Sequence, residues 1–246
     1  MMTRLILALC LALTALPARA EVLILAAASL REPLDALAEE SQTPVVVSYG
    51  GSGTMARQVV QGAPAEIVVL ASLAWMEVLA EEGVLSPDVP PADVARNRLV
   101  LVAQAGHPPV PLTEEGIAQA LGAEGRLALG LVEAVPAGIY AKAALESLGL
   151  WEGLEDRLAE AENVRAALAL VERGQAPLGI TYVTDAAVSP AVTVVAEVPE
   201  ESHPPVRYIA ALTRDAGPEA RAFFDRMIGA EGAEAFAAAG FQPVPR

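Results

Sequence analysis

Residues 22–60 read VLILAAASLREPLDALAEESQTPVVVSYGGSGTMARQVV, and this stretch decides the fold class. The apolar run 22–26 predicts a strand. In 30–40, Leu34, Leu37 and Ala38 recur at helical spacing. The β-branched run 45–49 predicts a second strand, and 54–61 a helix that stops near Gly62 and Pro64. Strand, helix, strand, helix in that order is the pattern of an α/β sheet.

The alternation continues outward. Strands are expected at 67–70, 99–103, 178–183, 192–198 and 206–212. Helices are expected at 73–82 (stopped by Gly83), 117–121, 138–148, 164–173 (closed by Gly174) and 218–239. This predicts α/β architecture with parallel-dominated sheets. Pro- and Gly-containing stretches near 104–111 and 199–205 predict two passages of the chain between lobes. Lobe one then takes 21–102 plus 203–246, lobe two takes 103–202, and a cleft suited to a small ligand lies between them.

Composition narrows the function. The chain has 246 residues, 54% of them hydrophobic and 19% charged, which excludes a disordered tail. Asp and Glu number 31 against 16 Lys and Arg, for a net charge of −15. A nucleic-acid binder needs a basic footprint, and this chain has none. The acidic excess reads as a solvated surface. Cys10, His107 and His203 leave little for a zinc site or a Cys–His nucleophile pair. Past residue 20, charged residues, Gly or Pro interrupt every apolar run before it reaches the roughly 20 residues of a membrane span.

Residues 1–20, MMTRLILALCLALTALPARA, read as an export signal. Arg4 supplies the positive start, 5–16 is apolar but for Thr14, and Ala18-Arg19-Ala20 is a small-x-small cleavage site. Leu9 before Cys10 speaks against a lipoprotein, which needs a small residue there. Cleavage after Ala20 takes 20 of the 246 residues, with Arg4 and Arg19 among them, so the net charge moves from −15 to −17. Cys10 is also lost, and no disulfide is then possible. The expected address is a bacterial periplasm.

Four predicted helix starts are short and small-sided. A helix N-terminus carries unpaired N–H groups and partial positive charge, which suits an anion. Ser29 follows Ala26-Ala27-Ala28, although Ser29-Leu-Arg-Glu32 also fits a plain capping box. Ser52 lies in Gly50-Gly51-Ser52-Gly53-Thr54, which is a close-approach loop or an ordinary turn. Pro136 presets a helix start and leaves the Ala137 N–H an orphan donor. Asn163 can cap the next helix and leave the Val164 N–H free. The last two also read as ordinary helix starts. Gly51-Ser-Gly53-Thr-Met-Ala56 matches the dinucleotide fingerprint only loosely, after the second strand of an exported chain. A hydrolase elbow needs G-x-S-x-G, and Gly50-Gly-Ser52-Gly-Thr54 lacks the last glycine. Trp75 and Met76 read as packing residues, and Glu66 and Asp185 form no paired-acid motif.

Several segments appear together in order: Ala26-Ala-Ala-Ser29-Leu30, Gly51-Ser52-Gly53-Thr54-Met-Ala-Arg57-Gln58, Trp75-Met76 and Asn97-Arg-Leu-Val100. Val135-Pro-Ala137-Gly138-Ile-Tyr140-Ala-Lys142, Val164-Arg-Ala-Ala-Leu168, Glu172-Arg-Gly-Gln-Ala-Pro177-Leu-Gly179-Ile-Thr-Tyr182 and Gly240-Phe241 follow. Over the whole mature chain this resembles the periplasmic molybdate-binding proteins of ABC transporters. The resemblance implies a two-lobed periplasmic-binding-protein fold of type II and a non-enzymatic role. It implies molybdate or tungstate held by neutral donors, with no cofactor and no direct protein–metal ligand. Ser29 and Ser52 would each give a hydroxyl and an N–H, Ala137 and Val164 an N–H each, and Tyr182 its phenol. An inner-membrane permease is the implied protein partner, and a monomer is expected. The chain departs from the pattern at Glu66, where aspartate is usual, at Leu73-Ala74, where a more polar pair is common, and in a short loop between Ser29 and Ser52.

Those seven donors, at about 1.5–3 kcal/mol per bond to a charged group, give on the order of 10–20 kcal/mol gross against an association cost of about 4–15 kcal/mol. A site with donors and no acceptors favours a fully deprotonated anion. Phosphate keeps a proton near neutral pH; sulfate does not, but is smaller. Another small oxyanion such as sulfate is the first alternative, and an exported serine hydrolase using Ser52 a second.

Overall fold

The computed structural model describes residues 21–245, so the expected export signal and Cys10 lie outside the described residues. The described residues form ten strands and nine α-helices in two five-stranded sheets with helices packed on them, a two-lobed α/β fold. The first sheet has strand order β2 (Val45–Gly50), β1 (Val22–Ala27), β3 (Ile67–Leu70), β10 (Val206–Leu212), β4 (Ala92–Asn97). The second has order β7 (Leu158–Ala161), β6 (Leu127–Gly130), β8 (Leu178–Tyr182), β5 (Leu99–Gln104), β9 (Val192–Glu197).

The sheets are mixed, which corrects the parallel-dominated expectation. Strand β1 runs parallel to β2 and β3, while β10 is antiparallel to β3 and β4. Strand β6 runs parallel to β7 and β8, while β5 is antiparallel to β8 and β9. The parallel strands are joined by helical crossovers within one lobe. The antiparallel ones, β5 and β10, are the strands through which the chain enters a lobe from the other, and no βαβ geometry governs them. The chain leaves the first sheet at Asn97, enters the second at Leu99, and returns between Glu197 and Val206. A boundary after residue 102 therefore falls inside β5, and the first passage lies at Arg98.

Strands β4, β6 and β7 are absent from the sequence reading. Each lacks a run of β-branched residues: ADVARN and LAEA are polar edge strands, and LALG is a buried four-residue strand that reads equally as helix. The helix expected over 218–239 is two helices, α8 (Pro218–Ile228) and α9 (Ala230–Ala238), broken by extended backbone at Gly229. Helix α1 (Arg31–Glu39) buries Leu34 and Leu37 against the first sheet, where Ile24, Ile67 and Tyr208 are also buried. Its other face receives Met55 and Val59 of α2 (Ser52–Val60) and Met76 and Leu79 of α3 (Leu73–Glu81). In the second lobe α5 (Pro136–Ser147) and α6 (Val164–Glu172) cover the sheet, and α4 (Glu114–Leu121) and α7 (Val183–Ala187) complete the set. Among the described residues no helix is long and apolar enough to cross a membrane.

This topology positions a site. Ligands in α/β sheets bind beyond the carboxyl ends of the strands. Residue Ala27 of β1 pairs with Gly50 of β2, so the turns carrying Ser29 and Ser52 emerge side by side. Residue Gly130 of β6 pairs with Ala161 of β7, so α5 and α6 also start as neighbours. A Cβ on Gly138 would run into the Gly130 carbonyl, and glycine there lets α5 begin hard against the end of β6.

Candidate functional site

The carboxyl ends of the two sheets face each other. Between them lies a cavity lined by Ser29, Ser52, Ala137, Val164, Tyr182 and the small residues beside them. All five residues singled out in the sequence meet there, two from lobe one and three from lobe two. The space is small: about 10 Å³ can be reached by the centre of a water molecule. That is room for a water or one compact ion, not for an extended solute. None of the lining residues carries a formal charge. Larger hollows lie around 227–245 and 107–120, each within a single lobe.

Ser52, Ala137, Val164 and Tyr182 each present a donor. The Ser52 Oγ accepts from the Ala71 N–H at 3.0 Å, which leaves the Ser52 hydrogen for the cavity. Gly51 caps α2, and its carbonyl accepts from the N–H groups of Thr54 and Met55. The Ser52 N–H is in the first turn and has no partner in the helix ladder. Pro136 is the first residue of α5, as the sequence predicts, so the Ala137 N–H is likewise a first-turn orphan. Asn163 caps α6 by accepting from the Ala166 N–H at 2.9 Å, and the Val164 N–H stays outside the ladder.

The Tyr182 side chain is buried, and among the described residues its hydroxyl has no hydrogen-bond partner. A buried polar atom left unpaired costs about 1–3 kcal/mol, which singles this one out. Burial pushes the phenol well above its ordinary pKa, and the neighbouring Tyr208, Tyr140 and Asp185 add to it. Tyr182 therefore keeps its proton and is a donor.

Ser29 differs from the capping-box alternative. It sits in a short 3-10 turn (Ala28–Leu30), and no side-chain cap bond forms there. Its Oγ meets the Tyr208 hydroxyl at 2.8 Å, and Glu32 turns instead to Arg165. The sequence gives no sign of either pairing, because the partners lie 179 and 133 residues apart.

The lobes are in contact around the cavity. The Trp75 Nε1–H donates across to the Ala134 carbonyl at 3.1 Å, so this residue is more than packing. The Tyr140 hydroxyl of α5 donates to the Ala71 carbonyl at 3.3 Å. Arg165 of α6 forks onto both carboxylate oxygens of Glu32 on α1, at 2.6 and 3.1 Å, and also meets Asp185. Among the described residues no three His, Cys, Asp or Glu side chains gather as ligands for a metal ion.

Known proteins bear on this geometry. A family model described as bacterial extracellular solute-binding protein matches residues 22–242. The chain is 40% identical over 234 residues to the molybdate-binding protein ModA of Escherichia coli (strain K12), covering 92% of this chain and 91% of that protein. It is 42% identical over 204 residues to ModA of Haemophilus influenzae, covering 80% of each. Among solved structures, the periplasmic molybdate-binding protein of Azotobacter vinelandii superposes with a TM-score of 0.78 at 24% identity. That superposition covers 92% of this chain and 100% of the other.

Proposed function

The chain belongs to the bacterial extracellular solute-binding proteins, a family of binding proteins and not of enzymes, and on that premise we propose that it captures molybdate. Tungstate, nearly equal in size and charge, is the second ligand we propose. Delivery is to the membrane permease of an ABC transporter, from the periplasm, after the first 20 residues are removed. The observation that carries this reading is an uncharged cavity rimmed by donors from both lobes. A tetrahedral oxyanion would take up to seven hydrogens here: two each from Ser29 and Ser52, once the Ser29 hydroxyl donates, and one each from Ala137, Val164 and Tyr182. Binding must be local, because the chain is strongly acidic and surface charges are screened beyond about 8 Å at physiological salt. Donors from both lobes also give a reason for closure, since only the closed form completes the shell.

Thermal unfolding of residues 21–246 with molybdate, tungstate, sulfate or phosphate at equal ionic strength tests the assignment. Ligand at a hundredfold its Kd stabilises by about 2.7 kcal/mol, so a shift with molybdate and tungstate alone is expected. A shift with sulfate would move the ligand but keep the class, and no shift with any anion would overturn the reading.

Tyr182→Phe isolates one donor. It removes a buried hydroxyl that has no protein partner, so the unliganded chain should be as stable as wild type or more so. Molybdate affinity should fall about tenfold or more, given roughly 1.5–3 kcal/mol for a bond to a charged group. Titration calorimetry and a melting curve measure both, and unchanged affinity would remove Tyr182 from the site.

A further inference from the structure

A serine hydroxyl can donate or accept, and an oxyanion site needs it to donate. At Ser52 the backbone settles the matter, because the Ala71 N–H occupies the oxygen. At Ser29 the 2.8 Å bond to Tyr208 taken alone runs either way. Asn97, the last residue of β4, decides it. Its Oδ1 accepts from the Arg98 N–H at 2.9 Å, which fixes which way the amide faces. Its Nδ2 is then directed at Thr184 Oγ1, 2.8 Å away, and at the Tyr208 hydroxyl oxygen, 3.2 Å away. An amide nitrogen has two hydrogens and no acceptor capacity, so the Tyr208 oxygen accepts. Burial holds the Tyr208 phenol well above its ordinary pKa, so it keeps its own hydrogen. Among the described residues the remaining partner for that hydrogen is Ser29 Oγ. Ser29 therefore accepts from Tyr208 and has its hydrogen left for the cleft.

We propose that Asn97 and Tyr208 form a directional relay that sets Ser29 as a donor toward the anion and thereby excludes oxyanions that carry a proton. All three side chains are buried, and the low local dielectric strengthens these bonds. Asn97 and Tyr208 are positioning residues, acting through Ser29. The inference rests on the molybdate reading and deepens it.

The test compares wild type, Tyr208→Phe and Asn97→Asp for binding of molybdate, sulfate and inorganic phosphate at pH 7 by calorimetry. Sulfate and hydrogen phosphate are close in size and differ by one proton, so their affinity ratio reads the polarity of the site. Tyr208→Phe cuts the relay and frees a Ser29 lone pair to accept. Molybdate affinity should fall about tenfold and the phosphate-to-sulfate ratio should rise about tenfold. Asn97→Asp reverses the relay with the phenol in place: the carboxylate draws the Tyr208 hydrogen, Ser29 must donate to Tyr208, and the ratio should rise in the same direction. If either variant fails to fold, the other carries the test. Equal weakening of sulfate and phosphate, or no change, would overturn the relay and leave a packing role. A wild type that binds none of the anions would overturn the functional reading, and the relay with it.

Discussion

Gly51→Ala is expected to weaken molybdate binding at least a hundredfold and to leave the unliganded chain as stable as wild type. A Cβ at Gly51 would lie 2.5 Å from the Glu162 carbonyl oxygen and 3.4 Å from Val135 Cγ2, both on the opposite lobe. Its backbone is at φ −66° and ψ 136°, which alanine adopts without strain. Within lobe one the change is close to neutral. Alanine is a poorer helix cap than glycine, but it also lowers the entropy of the unfolded chain by about 0.4–1 kcal/mol. The collision is therefore with the other lobe alone, and it opposes the lobe contact around the cavity. Holding them apart withdraws the Ala137, Val164 and Tyr182 donors, worth about 4–9 kcal/mol gross, and a hundredfold loss needs only about 2.8 kcal/mol. Gly53 is a less clean probe, because a Cβ there meets Trp75 of its own lobe as well as Ala134 across the cleft. Calorimetry gives the affinity, and small-angle scattering with molybdate should show the variant remaining extended. Wild-type affinity in Gly51→Ala would mean that the approach of the lobes plays no part in binding.

The candidate site was legible in the sequence where its causes are local. Gly-Gly-Ser-Gly before a helix, proline at the first position of α5 and asparagine before α6 each act within a few residues, and all three are realised at the cavity. Tyr182, which entered only through the family resemblance, lies at the end of the buried strand β8. What stayed hidden depends on pairings far apart in the chain. Nothing near Ser29 announces Tyr208, and nothing near Arg165 announces Glu32 or Asp185. The parallel expectation failed for a related reason. Strand direction at β5 and β10 is set by where the chain passes between lobes, and that passage leaves no periodicity to read. Edge strands β4 and β7 were invisible because a half-solvated strand need not be apolar.

Arg165→Ala is expected to destabilise the chain strongly at pH 7.5 and much less at pH 4.5. Asp185 is fully buried on α7; one oxygen meets Arg165, and among the described residues the other has no partner. Burial raises its carboxyl to about 6, against the opposing pull of Arg165. That lies above the ordinary value of 3.8, so between these values the native chain holds more protons than the unfolded one. Stability linked to Asp185 is therefore complete below the unfolded value and is lost as pH rises through about 6. Removing the guanidinium takes away the one cation, among the described residues, that makes the ionised form tolerable. At pH 7.5 the cost should be about 3–5 kcal/mol, as for other buried pairs broken on one side. At pH 4.5 the carboxyl is neutral in the native state, and what remains is lost packing and the bridge to Glu32. That bridge is partly exposed and contributes little. Adding Asp185→Asn to Arg165→Ala should restore most of the stability at pH 7.5 and abolish the pH dependence, because a neutral amide needs no counter-charge. Melting curves of the single and double variants at both pH values decide it, and an equal loss at the two would show that Arg165 acts through packing alone. The pair is costly to bury and is weak evidence for stability. Its place explains it better: Arg165 follows Val164 directly, so the contact with Asp185 ties the start of α6 to α7 within its own lobe, and the fork to Glu32 ties it to lobe one beside the cavity.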